Sequence, residues 1–307
     1  MIYSKKVIVP ALSPFSFELS SQIFANGDSQ IRNYENNQFW QVIRTNGKLI
    51  LVTVKKAGIV DKPELHAELK SNTRITAEDK KKAEVAVNTI FSLDLDLRPF
   101  YEIAKNDQVM GAITRRLWGL KTPTTLTVFE ALVDAIVEQQ ISMKVATSIE
   151  RKIIKNFGDL LDLKGEVYYV YPTPQRLATV SVEELRQCGL SYRKSEYIKG
   201  ASTLIADGVL DLEKLRSYES SEQIIRELNE IRGIGVWTAE FTMLRGMQRL
   251  EAMPADDLGL RRDISRYYRN GNVIKSGEAR KIAEGWGRWK GLAAYYLVIA
   301  SMLNIIV

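Results

Sequence analysis

LNEIRGIGVWTAEFTMLRGMQRLEAMPADDLGL, residues 228–260, decides how the rest of the chain reads. Ile224, Ile225, Leu228 and Ile231 recur at helical spacing, so a helix runs into its start. Arg232-Gly233-Ile234-Gly235 breaks that helix, because two glycines one residue apart permit a tight turn and a close backbone approach. A second helix restarts at once, with Trp237, Phe241 and Leu244 on one face. The free amides of its first turn point outward as an anion site, and a phosphate fits there.

Met253-Pro254-Ala255-Asp256-Asp257-Leu258-Gly259 follows. Proline ends an element, and two carboxylates stand where a new helix begins. An N-cap accounts for one aspartate and leaves the second without a role. Asp257 lies 22 positions after Gly235. The hairpin, Trp-Thr-Ala and Pro-x-Asp-Asp at this spacing resemble the helix-hairpin-helix-GPD superfamily of DNA glycosylases. Within it the chain is similar to the alkylated-base branch, the 3-methyladenine DNA glycosylase II (AlkA) type. The resemblance covers residues 95–305 well and the first 90 loosely.

Composition sets bounds. With 307 residues, 45% hydrophobic, the chain is long enough for two or three domains and a sizeable core. No apolar run approaches membrane-spanning length, and MIYSKKVIVPALS lacks signal-peptide form, so a cytoplasmic protein with nucleoid-associated activity is expected. The single cysteine, Cys188, excludes an internal disulfide and any iron-sulfur cluster held by four cysteines. The single histidine, His66, reads as an ordinary surface position and makes zinc sites improbable. The net charge is +6, and residues 231–290 hold twelve Lys and Arg against seven Asp and Glu. That basic excess around the hairpin suits a polyanion, although a solvated charged face has the same composition.

Residues 1–92 read as a small α+β domain with an antiparallel sheet. Phe39–Ile43 and Leu49–Val54 flank Asn46-Gly47, a strong hairpin signal. Ile8-Val9 and the alternation over Phe15–Leu19 suggest further strands, and Ala77–Ile90 a helix opened by Thr76. Residues 93–307 read as a mostly α-helical, two-lobed body, entered through Ser92–Pro99. Thr127–Glu130 and Ser181–Glu184 have the form of capping boxes. The helix after Thr127 ends in Glu138-Gln139-Gln140-Ile141-Ser142, which is either a polar helix end or a functional turn.

The resemblance implies specific roles. Asp257 is the catalytic aspartate, and Trp237, Phe241, Tyr295 and Tyr296 belong to the base pocket. The hairpin residues Arg232, Gly233, Ile234 and Gly235 grip the DNA backbone. Gln139, Gln140 and Ser142 face the minor groove, where Gln140 fills the gap left by the extruded base. That polar wedge departs from the apolar residue common in the AlkA type. Arg193 and Lys194 touch phosphates, or are simply solvated. Lys290 touches DNA where the family has an arginine, and Arg288 replaces a family proline. A monovalent cation, Na or K, braces the hairpin on the backbone carbonyls of Asn229, Ile231 and Ile234; no other cofactor is required. Double-stranded DNA containing damaged bases is the expected partner, bound by a monomer with no membrane association.

These residue types suit base excision. Breaking an N-glycosidic bond builds positive charge on the sugar, which a fixed carboxylate stabilises. An N-alkylated purine is already cationic and leaves easily, so extrusion and holding are the main tasks, and aromatic faces attract the cationic ring. Glycosylases that also cut the strand use a lysine amine. Related enzymes carry it two residues after the second hairpin glycine, where this chain has Trp237. Water is therefore the expected nucleophile. Other lesions, such as 8-oxoguanine or deaminated purines, and a non-catalytic DNA-binding module remain the competing readings.

Overall fold

The computed structural model describes every residue except Asn26. In chain order the first unit holds β1 (Tyr3–Pro10), α1 (Phe17–Phe24), β2 (Arg32–Glu35), β3 (Gln38–Thr45), β4 (Lys48–Lys56), β5 (Glu64–Ser71) and α2 (Ala77–Phe91). The strands form one sheet in the order β1-β5-β4-β3-β2, every neighbour antiparallel. Asn46 and Gly47, both at positive φ (46° and 73°), close β3 onto β4 with Thr45 opposite Lys48. That is the two-residue turn whose twist matches the strands. Alternation then sends Val52, Val54, Leu65, Ala67 and Leu69 to one face, where they meet Val87, Ile90 and Phe91 of α2. Thr76 and Asp79 cap α2 reciprocally.

One expected strand is a helix instead. Ser16 accepts from the Leu19 amide and opens α1, which buries Phe17, Ser20, Ser21 and Phe24. Alternation over Phe15–Leu19 was too short to outweigh a good N-cap followed by an apolar residue every third or fourth position.

The helical body follows with α3 (Arg98–Ala104), α4 (Gln108–Arg116), α5 (Val128–Glu138) and α6 (Met143–Phe157). A hairpin of β6 (Asp159–Leu163) and β7 (Glu166–Val170) interrupts it. The order resumes with α7 (Pro174–Thr179), α8 (Val182–Gln187), α9 (Tyr192–Ala206), α10 (Ser221–Asn229) and α11 (Val236–Met247). It ends with α12 (Leu258–Tyr268), α13 (Ser276–Ala283) and α14 (Lys290–Met302). The β6–β7 hairpin was not anticipated. It lays Leu161, Leu163 and Val170 against Val42 and Leu51 on the outer face of the first sheet.

Two apolar cores make the two lobes. One gathers residues of α5 to α11, including Phe129, Val133, Ile153, Leu185, Ile198 and Leu228. The other gathers α3, α4 and α12 to α14, including Phe100, Ile113, Ile264, Trp286 and Tyr296. Helix α11 serves both, with Met243 in the first and Leu244 in the second. Gly246 lets α11 cross α5 closely, since a Cβ there would lie 2.7 Å from the Ala131 Cβ. Among the described residues, no helix is long and apolar enough to cross a membrane.

Candidate active site

The α10–α11 hairpin is built around Gly233. Its φ is 88°, and a Cβ there would sit 2.3 Å from the Tyr197 ring, so glycine is required twice over. Gly235 differs: its φ is −99°, and an added Cβ would meet nothing within 4 Å. It is the N-cap of α11 and supplies no side chain to the first-turn amides, so the helix start is open to an anion. Arg232 is exposed beside it, 3.3 Å from Glu196.

Gln139 and Lys194, expected at the DNA surface, are half-buried and also bond within the protein. The Gln139 amide donates to the Gly233 carbonyl at 3.1 Å and to Thr238 Oγ1 at 3.0 Å, fastening the end of α5 to the hairpin. Lys194 Nζ donates to the Val137 and Gln139 carbonyls at 2.8 and 2.6 Å, satisfying the end of α5 where a cation is favoured. These bonds give Lys194 a structural use that the sequence did not suggest. Arg193 is exposed. Gln140 is exposed at positive φ (54°), flanked by exposed Ile141, Met143 and Val145. Ser142 caps α6 through the Val145 amide, a structural use of a residue that is also exposed. Lys290 opens α14 and is half-buried. Glu130 also departs from its expected capping box. Thr127 accepts from the Glu130 amide at 3.1 Å, but the Glu130 carboxylate turns inward toward Arg32 instead.

Asp257 is both the N-cap and the candidate catalyst. One carboxylate oxygen accepts from the Leu260 amide at 2.7 Å, and the other from Trp237 Nε1 at 3.2 Å. Two neutral donors thus fix its orientation without cancelling its charge. Asp256 is exposed, with its carboxylate 3.7 Å from Arg280, which pairs with Glu240 at 2.8 and 3.1 Å. Trp237 stacks on Phe241 at 5.4 Å between centroids, and the Arg245 guanidinium lies 5.6 Å from the Phe241 ring.

Beyond Arg245 opens a pocket lined by Phe24 and Arg32 of the first unit and by Asp134, Glu138, Glu150 and Tyr295 of the body. Tyr296 does not belong to it. Its hydroxyl donates to the Leu120 carbonyl at 2.6 Å deep in the second core, because neighbouring helical residues point about 100° apart. Arg32 is buried against Glu150 at 2.9 Å and Glu130 at 3.6 Å. Burial pushes the Glu130 carboxyl up to about 7, against the opposing Arg32 charge, and Asp134 is raised for the same first reason. The sequence reading missed Phe24, Arg32, Glu138 and Arg245. A signal existed: Glu130, Asp134 and Glu138 recur every fourth residue on an otherwise apolar helix, and Arg245 continues the Trp237, Phe241 face.

Comparisons with known proteins agree with this geometry. Residues 133–288 match the family described as HhH-GPD superfamily base excision DNA repair protein. A DNA-3-methyladenine glycosylase of Bacillus subtilis (strain 168) is 32% identical over 267 residues, 86% of each chain. DNA-3-methyladenine glycosylase 2 of Escherichia coli (strain K12) is 26% identical over 64% of this chain and 67% of its own length. The solved 3-methyladenine DNA-glycosylase of Archaeoglobus fulgidus superposes with a TM-score of 0.86 at 26% identity, covering 98% of this chain and all of that one. The match spans the α10–α11 hairpin, the Trp237 face and Asp257 together, and the chain belongs to the HhH-GPD superfamily of base excision DNA repair proteins.

Proposed function

We propose that this protein is a monofunctional DNA glycosylase that extrudes alkylated bases of the 3-methyladenine type from duplex DNA and hydrolyses their N-glycosidic bonds. The observation that carries the reading is Asp257, held by the Leu260 amide and the Trp237 indole beside the stacked Trp237–Phe241 pair. A carboxylate so fixed stabilises the oxocarbenium-like sugar and orients a water toward it, while the aromatic faces hold the departing purine. Substrate chemistry comes from the relatives named for 3-methyladenine. The test is single-turnover excision from a panel of duplexes, each holding one defined damaged base. Release of alkylated purines ahead of 8-oxoguanine and deaminated purines is expected; the reverse order refutes the assignment.

Duplex DNA enters at the open start of α11, with Gln140 and the apolar Ile141 and Met143 filling the space the base leaves. Water is the nucleophile in this reading, because Trp237 occupies the place of the lyase lysine and cannot form an imine. Borohydride trapping during excision checks this: no covalent complex should form, and the abasic strand should stay intact until alkali is added. Carbonyls of Asn229, Ile231 and Ile234 are neutral oxygen donors of the kind that suit Na or K, which would brace the turn. The Ile231 carbonyl already accepts from the Ile234 amide at 3.0 Å, which leaves its second lone pair for such an ion. We take the protein to act as a monomer, which sedimentation with and without DNA tests.

A further inference from the structure

Three polar groups that line the pocket beyond Phe241 lack partners. The Glu138 carboxylate, at the end of α5, makes no hydrogen bond or ion pair among the described residues. Arg245 Nε on α11 and the Tyr295 hydroxyl on α14 are buried without a hydrogen bond. Buried polar groups are ordinarily satisfied, so two buried orphans, Arg245 Nε and the Tyr295 hydroxyl, converging with the half-buried Glu138 carboxylate on one cavity mark the place of a ligand with polar edges. The other charges nearby are committed: Arg32 to Glu150 and Glu130, and Asp134 to the Tyr171 hydroxyl at 2.8 Å.

Resting on the glycosylase reading above, we propose that Glu138 is the specificity-determining residue of the base pocket, the counter-charge to an extruded N-alkylated purine cation. Stacked aromatic rings accept neutral and cationic purines alike, so Trp237 and Phe241 alone discriminate weakly between them. A carboxylate discriminates by sign. The charged groups that face Glu138 are Arg245 on α11, Glu150 on α6, Asp257 at the head of α12, Arg32 on β2 and Asp134 one turn back on α5. Burial pushes the Glu138 carboxyl up to about 7, Glu150 and Asp257 push the same way, and Arg245 and Arg32 oppose them. The group therefore changes charge near neutral pH. A cationic base entering the pocket drives its proton to solvent and forms an ion pair. A neutral base gains nothing from that loss and leaves the carboxyl protonated.

The test uses Glu138→Gln, which keeps the size and removes the charge. Single-turnover excision is measured from pH 5.5 to 8.5 on duplexes holding one 3-methyladenine, a cation with no ring N–H to lose in this range, or one hypoxanthine, which is neutral. For the wild type, excision of 3-methyladenine should climb as pH rises through about 7, the value for the Glu138 carboxyl. The variant should lose that climb, and its preference for 3-methyladenine over hypoxanthine should fall about tenfold or more at pH 8. Its affinity for duplex carrying an abasic analogue, which has no base to contact, should stay within about twofold. Where the wild type leaves hypoxanthine untouched, the pH profile alone decides. Glu138→Asp provides the control for packing, since it should retain a climb with a displaced midpoint. An unchanged profile in Glu138→Gln, or equal slowing on both bases, overturns the role of Glu138. A wild type that excises no alkylated base would instead overturn the glycosylase reading itself.

Discussion

Asp257 and Trp237 form a rim that Phe241 joins to the pocket-lining Arg245; they lie 20 residues apart and share a 3.2 Å hydrogen bond. At the floor of the pocket, Arg32 reaches Glu150 across 118 residues at 2.9 Å. The rim is one continuous stretch of chain, in which neutral donors orient a lone charge. The floor is assembled from three segments and sets a buried cation among buried anions. A charge held by neutral donors can be altered with little effect on the fold, whereas an ion removed from a buried cluster leaves its partners uncompensated. Rate should therefore depend on the rim and stability on the floor.

Asp257→Asn should break the rim with the largest effect. Asparagine still caps α12, so the melting temperature should change little, while single-turnover excision should fall by about 10³-fold or more. Activity within tenfold of wild type would remove Asp257 from the chemistry.

Arg32→Leu should break the floor. With Glu130, Asp134 and Glu150 left without their cation, a loss of about 3–5 kcal/mol is expected in urea unfolding at pH 8. The loss should shrink at pH 5.5, where the carboxyls can take up protons. A variant as stable as wild type at pH 8 would show that the cluster is already neutral.

The wild type should carry the same signature more weakly. Glu130 and Glu138 are both pushed up to about 7 from an ordinary value of 4.5. Between those values the folded chain holds protons that the unfolded chain has released. The stability they contribute is therefore fully present below about pH 4.5 and is lost as pH rises through about 7. Urea titrations should show stability declining across that window from this pair, by at most about 7 kcal/mol if both shifts are fully realised, over whatever other groups add. Glu138→Gln should flatten part of it, and an unflattened slope would place the titration elsewhere.

The smallest effects separate the two hairpin glycines. Gly233→Ala should cost about 1–3 kcal/mol, because it meets both a positive φ and the Tyr197 ring. Gly235→Ala should cost about 0.5 kcal/mol or less. Gly235→Asp should fold, as circular dichroism would show, yet bind abasic-analogue DNA far more weakly, since it brings a negative charge to the open start of α11. Undiminished affinity would mean that this helix start is not where phosphate sits.

Much of the molecule is legible without coordinates. The Asn46-Gly47 turn, the helix opened by Thr76, the Gly-x-Gly hairpin and the aspartate cap are all written within a few residues, because turn geometry and capping are local. Local pattern left open which of Asp256 and Asp257 caps the helix; the resemblance to the helix-hairpin-helix-GPD superfamily singled out Asp257, with Trp237 and Phe241 one helical turn apart, because that motif lies in one continuous stretch of chain. The tertiary structure alone decided which polar residues turn inward. Gln139 and Lys194 look like surface groups by type, and only the approach of α9 and the hairpin to the end of α5 converts them into internal fasteners. Tyr295 and Tyr296 are adjacent in sequence, yet one lines the pocket and the other lies in the core, as the rotation of α14 dictates. Arg32 reads as one more basic residue of a sheet domain until β2 places it under α5. Burial and the sign of a neighbour's charge are set by segments far apart in the chain, so the pocket's electrostatics waited on packing that no local pattern encodes.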